Sequence, residues 1–155
     1  RSNLQSEQLE DLRTAAFLHD VGHMTMPNGA QSLESPGHAE EGEKIVADAN
    51  FSDQVVAAVR HHPERWDGVG QAGGTAGENI TLLARILAVT ERFEALTAGR
   101  GCARVTSQEA LDKMLEGSGT EFDPAVVETL GKAVHDGGLE LNLPDVALPA
   151  APAAD

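Results

Sequence analysis

Residues 80–98 read ITLLARILAVTERFEALTA, the longest periodic stretch of the chain. Leu82, Ile86, Val89, Phe93 and Leu96 recur at heptad-like spacing, and Leu83, Leu87 and Glu91 make a second row on the same helix. A helix with apolar residues on two sides lies between neighbours, so this segment is the centre of the fold. On its C-terminal side, Thr106 and Glu109 form a capping-box pattern ahead of Ala110, Leu111, Met114 and Leu115. Asp123 and Pro124 then give a cap and a first position for Val126, Val127 and Leu130. On its N-terminal side, Leu9, Leu12 and Ala16 predict a helix over 6–20 whose stripe His19 continues inward. Ser35 and Pro36 predict the start of a second helix, with His38 in its first turn and Ile45, Val46 and Ala49 buried. A third spans 53–62 with Val55, Val56 and Val59 on one face, and Pro63 limits it. Pro27, Asn28 and Gly29 predict a loop over 24–34, and the glycines at 68, 70, 73, 74 and 77 predict another. No alternating strand pattern is present, which leaves an all-α orthogonal bundle of about six helices. We expect one domain over 1–136 and a flexible tail rich in proline and alanine over 137–155.

The chain has 155 residues, 41% of them apolar, which is enough for one domain core and short for two. With 25 acidic residues against 11 basic, the formal net charge is −14. Such a surface offers no broad footprint for duplex nucleic acid or for direct contact with an anionic membrane. It leaves phosphate chemistry open, because bound cations reverse the local field of an acidic cleft. Cys102 is the single cysteine, so neither an intrachain disulfide nor a thiolate cluster can form, and this usage fits the reducing cytoplasm. No apolar run reaches the length of a membrane span.

Four places carry residues capable of chemistry. His19 and Asp20 are adjacent where the first helix frays, so both can turn toward one ion. Taken alone, His19 is equally readable as a hydrogen-bonded core residue. His38 stands at a helix entrance beside Glu40 and Glu41, where a solvated histidine is the plainer reading. His61 and His62 close a valine-rich helix, and burying both rings requires a partner for each. Glu91 lies on the second row of the central helix, where burial is costly without a cation, and Arg85 is the simple ion-pair alternative. Imidazoles and carboxylates without thiolates suit Fe, Mn, Zn or Ni. Two such ions can activate water and clamp phosphate oxygens during in-line displacement.

The spacing resembles a known family. Leu18-His19-Asp20-Val21-Gly22-His23 is similar to the Leu-His-Asp-Ile-Gly-Lys motif of HD-GYP domains. The segment 37–42 resembles their His-x-x-x-Gly helix, and 62–68 their His-His-Glu-Arg-Trp-Asp-Gly. Residues 91–97 resemble Ala-Asp-x-Phe-Asp-Ala-Leu-Thr, and 119–124 resemble Gly-x-x-Phe-Asp-Pro. Five motifs in the family's order cover about residues 9–130. The resemblance implies a helical HD fold and hydrolysis of cyclic di-GMP or a related nucleotide in bacterial signalling. It implies two transition-metal ions, Fe or Mn before Zn or Ni, held by His19, Asp20, His38, His61, His62 and Glu91. Asp20 would bridge the ions, and His23 would stabilise transition-state charge or protonate the leaving group. Arg65, Asp67, Gly68 and Arg85 are the expected substrate-binding residues. A sensory or receiver domain ahead of this chain and a homodimer are the expected partners, and the cytoplasm the expected location.

The chain departs from the family in ways that set a second expectation. Gly70-Gln71-Ala72 stands where the family has Gly-Tyr-Pro, so the nucleotide loop lacks its ring and rigid turn. Pro63 takes the place of the second adjacent histidine, leaving His61 as a shifted candidate. His23 replaces a lysine, and Glu91 replaces an aspartate shorter by one methylene. The family's leading helix with its own histidine has no counterpart before Leu9. These departures define the alternative, a catalytically degenerate domain kept as a signalling or protein-interaction module.

Overall fold

The computed structural model describes residues 4–26, 37–70, 74–100 and 102–136, and among these the chain forms six α-helices. They are α1 (Ser6–Leu18), α2 (His38–Asp48), α3 (Asp53–His61), α4 (Leu82–Ala98), α5 (Ser107–Glu116) and α6 (Pro124–His135). Short polar side chains start most of them, as a helix with four unpaired N–H groups requires. Ser52 accepts from the Val55 N–H, Thr81 from Ala84, Thr106 from Glu109 and Asp123 from Ala125. At Thr106 the capping box is closed by the Glu109 carboxylate, 2.8 Å from the Thr106 nitrogen. α4 stops at Gly99, whose φ of 76° belongs to the left-handed region that glycine enters without strain.

α4 is a wall shared by two cores. Val89, Phe93 and Leu96 pack with Leu111, Met114, Val127 and Leu130 of α5 and α6, while Leu82 and Ile86 border the same cluster. Leu83 and Leu87 pack with Ala15 of α1, Val46 of α2 and Val55 and Val59 of α3. The two rows of residues 80–98 thus serve two different neighbours, as their spacing predicts.

The structure differs from the sequence reading at the helix surfaces nearest the N-terminus. Leu9 and Ala16 are exposed, and the inward stripe of α1 runs through Leu12, Ala15 and Leu18 instead. A stripe chosen by apolar identity alone misplaced the face, because adjacent alanines 15 and 16 are alike in the sequence and only Ala15 meets the cluster of Val46, Val55 and Leu83. Ala49 is exposed beyond the end of α2. That helix opens at Gly37, with φ 94° and no side-chain cap, two residues later than the expected start at Ser35. Ser35 and Pro36 lie outside the described residues, as do most of the expected loop over 24–34 and the expected tail over 137–155.

Candidate metal centre

Three helix termini converge on one polar cluster. α1 ends at Leu18, so His19 and Asp20 leave the helix together, and a 3-10 turn over Val21–Thr25 returns His23 to the same side. α2 presents His38 in its first turn, and α3 delivers His62 just past its last residue. Close backbone contact makes this convergence possible. A Cβ on Gly22 would sit 1.9 Å from the His38 carbonyl oxygen and 2.6 Å from the Gly42 nitrogen. Gly42 in turn faces a Val59 methyl at 2.9 Å from where its own Cβ would be. Only glycine at 22 lets the turn lie flat on α2, which is what brings Asp20 and His23 to His38.

Asp20 is the hub. Its Oδ2 lies 3.3 Å from His19 Nε2, and its Oδ1 lies 3.5 Å from His23 Nε2 and 3.9 Å from His38 Nε2. His38 Nε2 and His62 Nε2 face one another at 3.1 Å, and both rings are 2% exposed. The His23 ring stacks on His38 with centroids 4.4 Å apart and planes 5° from parallel.

Backbone carbonyls set the tautomers. A carbonyl oxygen can only accept, so His19 Nδ1–H donates to Ala16 at 2.8 Å and His62 Nδ1–H donates to Val59 at 2.9 Å. In each neutral ring the bare lone pair is therefore on Nε2, the nitrogen facing the cluster. This pattern, one ring nitrogen anchored by a carbonyl and the other turned toward the site, is the one metal-ligating histidines use.

The electrostatics divide the cluster. When His19 is protonated on both nitrogens, its Nε2–H donates to Asp20 and holds that carboxyl down at about 2, so Asp20 is a carboxylate at neutral pH. The same pairing raises His19, against burial. Burial pushes His62 down to about 4, leaving it neutral and able to ligate. Burial also raises the Glu91 carboxyl, while the charges of His19 and His38 pull it back.

Asp20, His23 and His38 each offer a donor atom, all within 4.8 Å of one another. Both ring nitrogens of His23 are buried without a hydrogen-bond partner. A cation among these atoms would satisfy groups that are otherwise costly to bury, so the residues present fit a transition metal. Of the expected ligands, His19, Asp20, His38 and His62 meet here, and Glu91 lies close enough to feel their charges. Among the described residues no ion pair or ring contact ties His61 to Asp20 or the other imidazoles, and its Nδ1 is buried without a hydrogen-bond partner. His23, expected chiefly to handle protons, stands among the candidate ligands.

The expected substrate-binding residues form a separate network. Arg65 pairs with Asp67 and with Glu121, and Gly68 supplies a turn at φ 79°. Arg85 pairs at 2.5 Å with Asp123, the α6 cap, and not with Glu91 as the simple ion-pair reading supposed. Sequence reasoning quoted Glu64 but gave it no role, although it is 4% exposed and neither carboxylate oxygen has a partner. A glutamate two residues past a buried histidine carries no periodic signal that could have revealed this.

Comparison with known proteins gives consistent results. A family model described as HD domain matches residues 1–126. The chain is 36% identical to a cyclic di-GMP phosphodiesterase of Pseudomonas aeruginosa, over 77% of this chain and 32% of that protein. It is 33% identical to a 3'3'-cGAMP-specific phosphodiesterase of Vibrio cholerae, over 80% of this chain and 29% of that one. Identity is again 36% to a cyclic di-GMP phosphodiesterase response regulator of Xanthomonas campestris, over 82% of this chain and 37% of the relative. The chain thus spans about a third of the length of these relatives. A crystal structure of a cyclic GMP-AMP specific phosphodiesterase of V. cholerae superposes with a TM-score of 0.72 at 20% identity, covering 86% of this chain and 40% of that one, and shows that the fold is shared.

Proposed function

The chain belongs to the HD domain family, and on that premise we propose that it is the metal-dependent phosphodiesterase domain of a longer protein, hydrolysing a cyclic dinucleotide such as cyclic di-GMP. The observation that carries this reading is the Asp20, His23 and His38 group with its donor atoms within 4.8 Å. His19, Asp20, His38 and His62 would hold two divalent ions, iron or manganese, with Glu91 beside them. Such ions supply Lewis-acid activation of water and neutralise the phosphate oxygens.

The chain's own residues do the rest. Asp20 remains charged through the working pH range and sits between three imidazoles, the position of a bridging carboxylate. The Ala16 and Val59 carbonyls fix His19 and His62 with Nε2 forward, so neither ring needs to reorient. His23 is a candidate ligand with Asp20 and His38, and where it does not ligate its ring would pass a proton to the leaving ribose oxygen. The Arg65, Asp67 and Gly68 loop would border the nucleotide. A net charge of −14 disfavours polyanions except where bound cations reverse the local field, and a cytoplasmic location, where the single Cys102 stays reduced, fits this reading.

The test is turnover of cyclic di-GMP and of 3'3'-cGAMP by manganese-loaded protein, beside the Asp20→Ala variant. We expect slow cleavage that Asp20→Ala abolishes, with little preference between substrates, since Gly70-Gln71-Ala72 replaces the family's ring-bearing motif. No cleavage above the variant, in protein shown to contain metal and in a longer chain, would favour the interaction-module reading instead.

A further inference from the structure

Away from the histidines, the residues that follow α3 bury charge in an unusual way. Glu64 donates its backbone N–H to the His61 carbonyl and turns its side chain inward, under the loop that continues to Gly70. A Cβ on Gly70 would lie 2.1 Å from Glu64 Oε2, so the loop closes directly over the carboxylate. Arg85 approaches from α4: its Nη1 pairs with Asp123, its guanidinium lies 5.6 Å from the centre of the Trp66 ring, and its Nε is buried with no partner. Glu64, Trp66, Ile80, Arg85, Phe122 and Asp123 line one cavity of about 10 Å³, the room of a single water-sized centre.

Three buried polar atoms here lack hydrogen bonds: both carboxylate oxygens of Glu64 and the Nε–H of Arg85. Two are acceptors and one is a donor. A water molecule has two O–H groups to donate and two lone pairs to accept, so one water can bridge a Glu64 oxygen and the Arg85 Nε–H. A cation is disfavoured because the Arg85 guanidinium already brings fixed positive charge to the cavity wall. We propose that this cavity is a built site for one structural water, bridging the Glu64 carboxylate to Arg85 Nε. Through it the loop bearing Trp66, Asp67 and Gly68 is fastened to α4, the helix that carries Glu91, and to the cap of α6. Backbone bonds hold the same loop as well: the Trp66 and Asp67 N–H groups donate to the Glu121 and Thr120 carbonyls. The water adds a side-chain tie to these backbone bonds.

A crystal structure of the whole chain at a resolution that shows ordered solvent should contain one water within hydrogen-bond distance of Glu64 and Arg85 Nε. Arg85→Lys keeps the positive charge beside Asp123 but deletes the Nε donor, and should lose that water. Trp66 is the single tryptophan, so its emission should move to longer wavelength in this variant as the ring becomes wetter. Glu64→Gln retains an acceptor and a donor and should keep both the water and the wild-type emission. If either variant fails to fold, magnetisation transfer from long-lived water to the Arg85 Nε–H in the wild-type protein decides the matter. A dry cavity, a direct Glu64 to Arg85 pair, a metal cation in that position, or absent transfer in folded protein would each overturn the proposal.

Discussion

The two cores on either side of α4 are built from the same helical repertoire but to different ends. In the α5 and α6 half, each helix opens on a side-chain cap, and the buried residues of its cluster are all apolar. In the α1 to α3 half, α2 opens on a left-handed glycine without a side-chain cap, and His38, His62 and the unpartnered His23 nitrogens stand among the packed residues. The first half gains stability at every terminus. The second gives some up, and what it obtains is a group of nitrogens and a carboxylate aimed at one place. The lesson is local: the polar cost falls where three helix ends meet and again at Glu64 and Arg85 beside the α6 cap, and the apolar clusters between them are conventional.

The sharpest way to break this comparison is a matched pair of glycine substitutions. Gly22→Ala drives a methyl to 1.9 Å from the His38 carbonyl, and backbone cannot yield cheaply there. We expect a loss of roughly 3 kcal/mol or more and an end to metal binding. Gly131→Ala, inside α6, meets only Leu111 methyls at 3.6 Å and 3.7 Å. It should be neutral or stabilise by up to about 1 kcal/mol through helix propensity. Urea unfolding of both variants checks the contrast, and similar losses in the two would erase it.

Metal removal tests the same asymmetry from the ligand side. Protein saturated at about a hundred times the dissociation constant gains about 2.7 kcal/mol over the metal-free form, so a chelator should lower its melting temperature. Elemental analysis should then show His19→Ala losing metal more completely than His61→Ala, because His61 lies outside the Asp20 group. His23→Lys discriminates the two roles of His23: retained metal with altered turnover marks a proton carrier, and lost metal marks a ligand.

Acid sharpens it further in the metal-free protein. His62 titrates near 4 when folded against 6.5 when free, so its neutral burial favours folding above pH 6.5, and that contribution is lost as pH falls toward 4. Asp20, held near 2 against 3.8, adds stability above pH 3.8 that is lost only below it. His19 is raised, so its contribution is already complete below pH 6.5 and does not change in this window. Glu91, raised by burial, opposes the trend as pH approaches its ordinary range. The expected net result is a falling urea midpoint between pH 6.5 and 4, with a flatter slope in His62→Gln. Parallel slopes in wild type and variant would remove His62 as the cause.

The smallest effect belongs to the other half. Thr106→Ala deletes a capping box and should cost about 1 kcal/mol without changing metal content. A change in metal content would mean that the two halves are coupled more tightly than their separate cores imply.

Most of the fold could be read from periodicity and caps. The two rows of residues 80–98 anticipated two cores, and Thr106, Glu109, Asp123 and Pro124 fixed two helix starts. His19, Asp20, His38 and His62 were readable from motif spacing, which encodes a meeting that no periodicity shows. Contacts between distant segments were not readable. Gly22 is a close approach of backbones, and Arg85 pairs with Asp123, 38 residues on, while Glu91, six positions along α4, falls on a different face of that helix. The outward Leu9 and Ala16 failed for a related reason: α1 packs through Ala15, and which face a helix turns inward depends on partners its own residues do not name.

α4 has its own consequence for how the molecule comes apart. A helix whose two faces are each half of a separate core cannot melt on one side alone, because unwinding it exposes both. Calorimetry should therefore record one transition, with a van't Hoff enthalpy matching the heat absorbed, although the two cores differ so much in polarity.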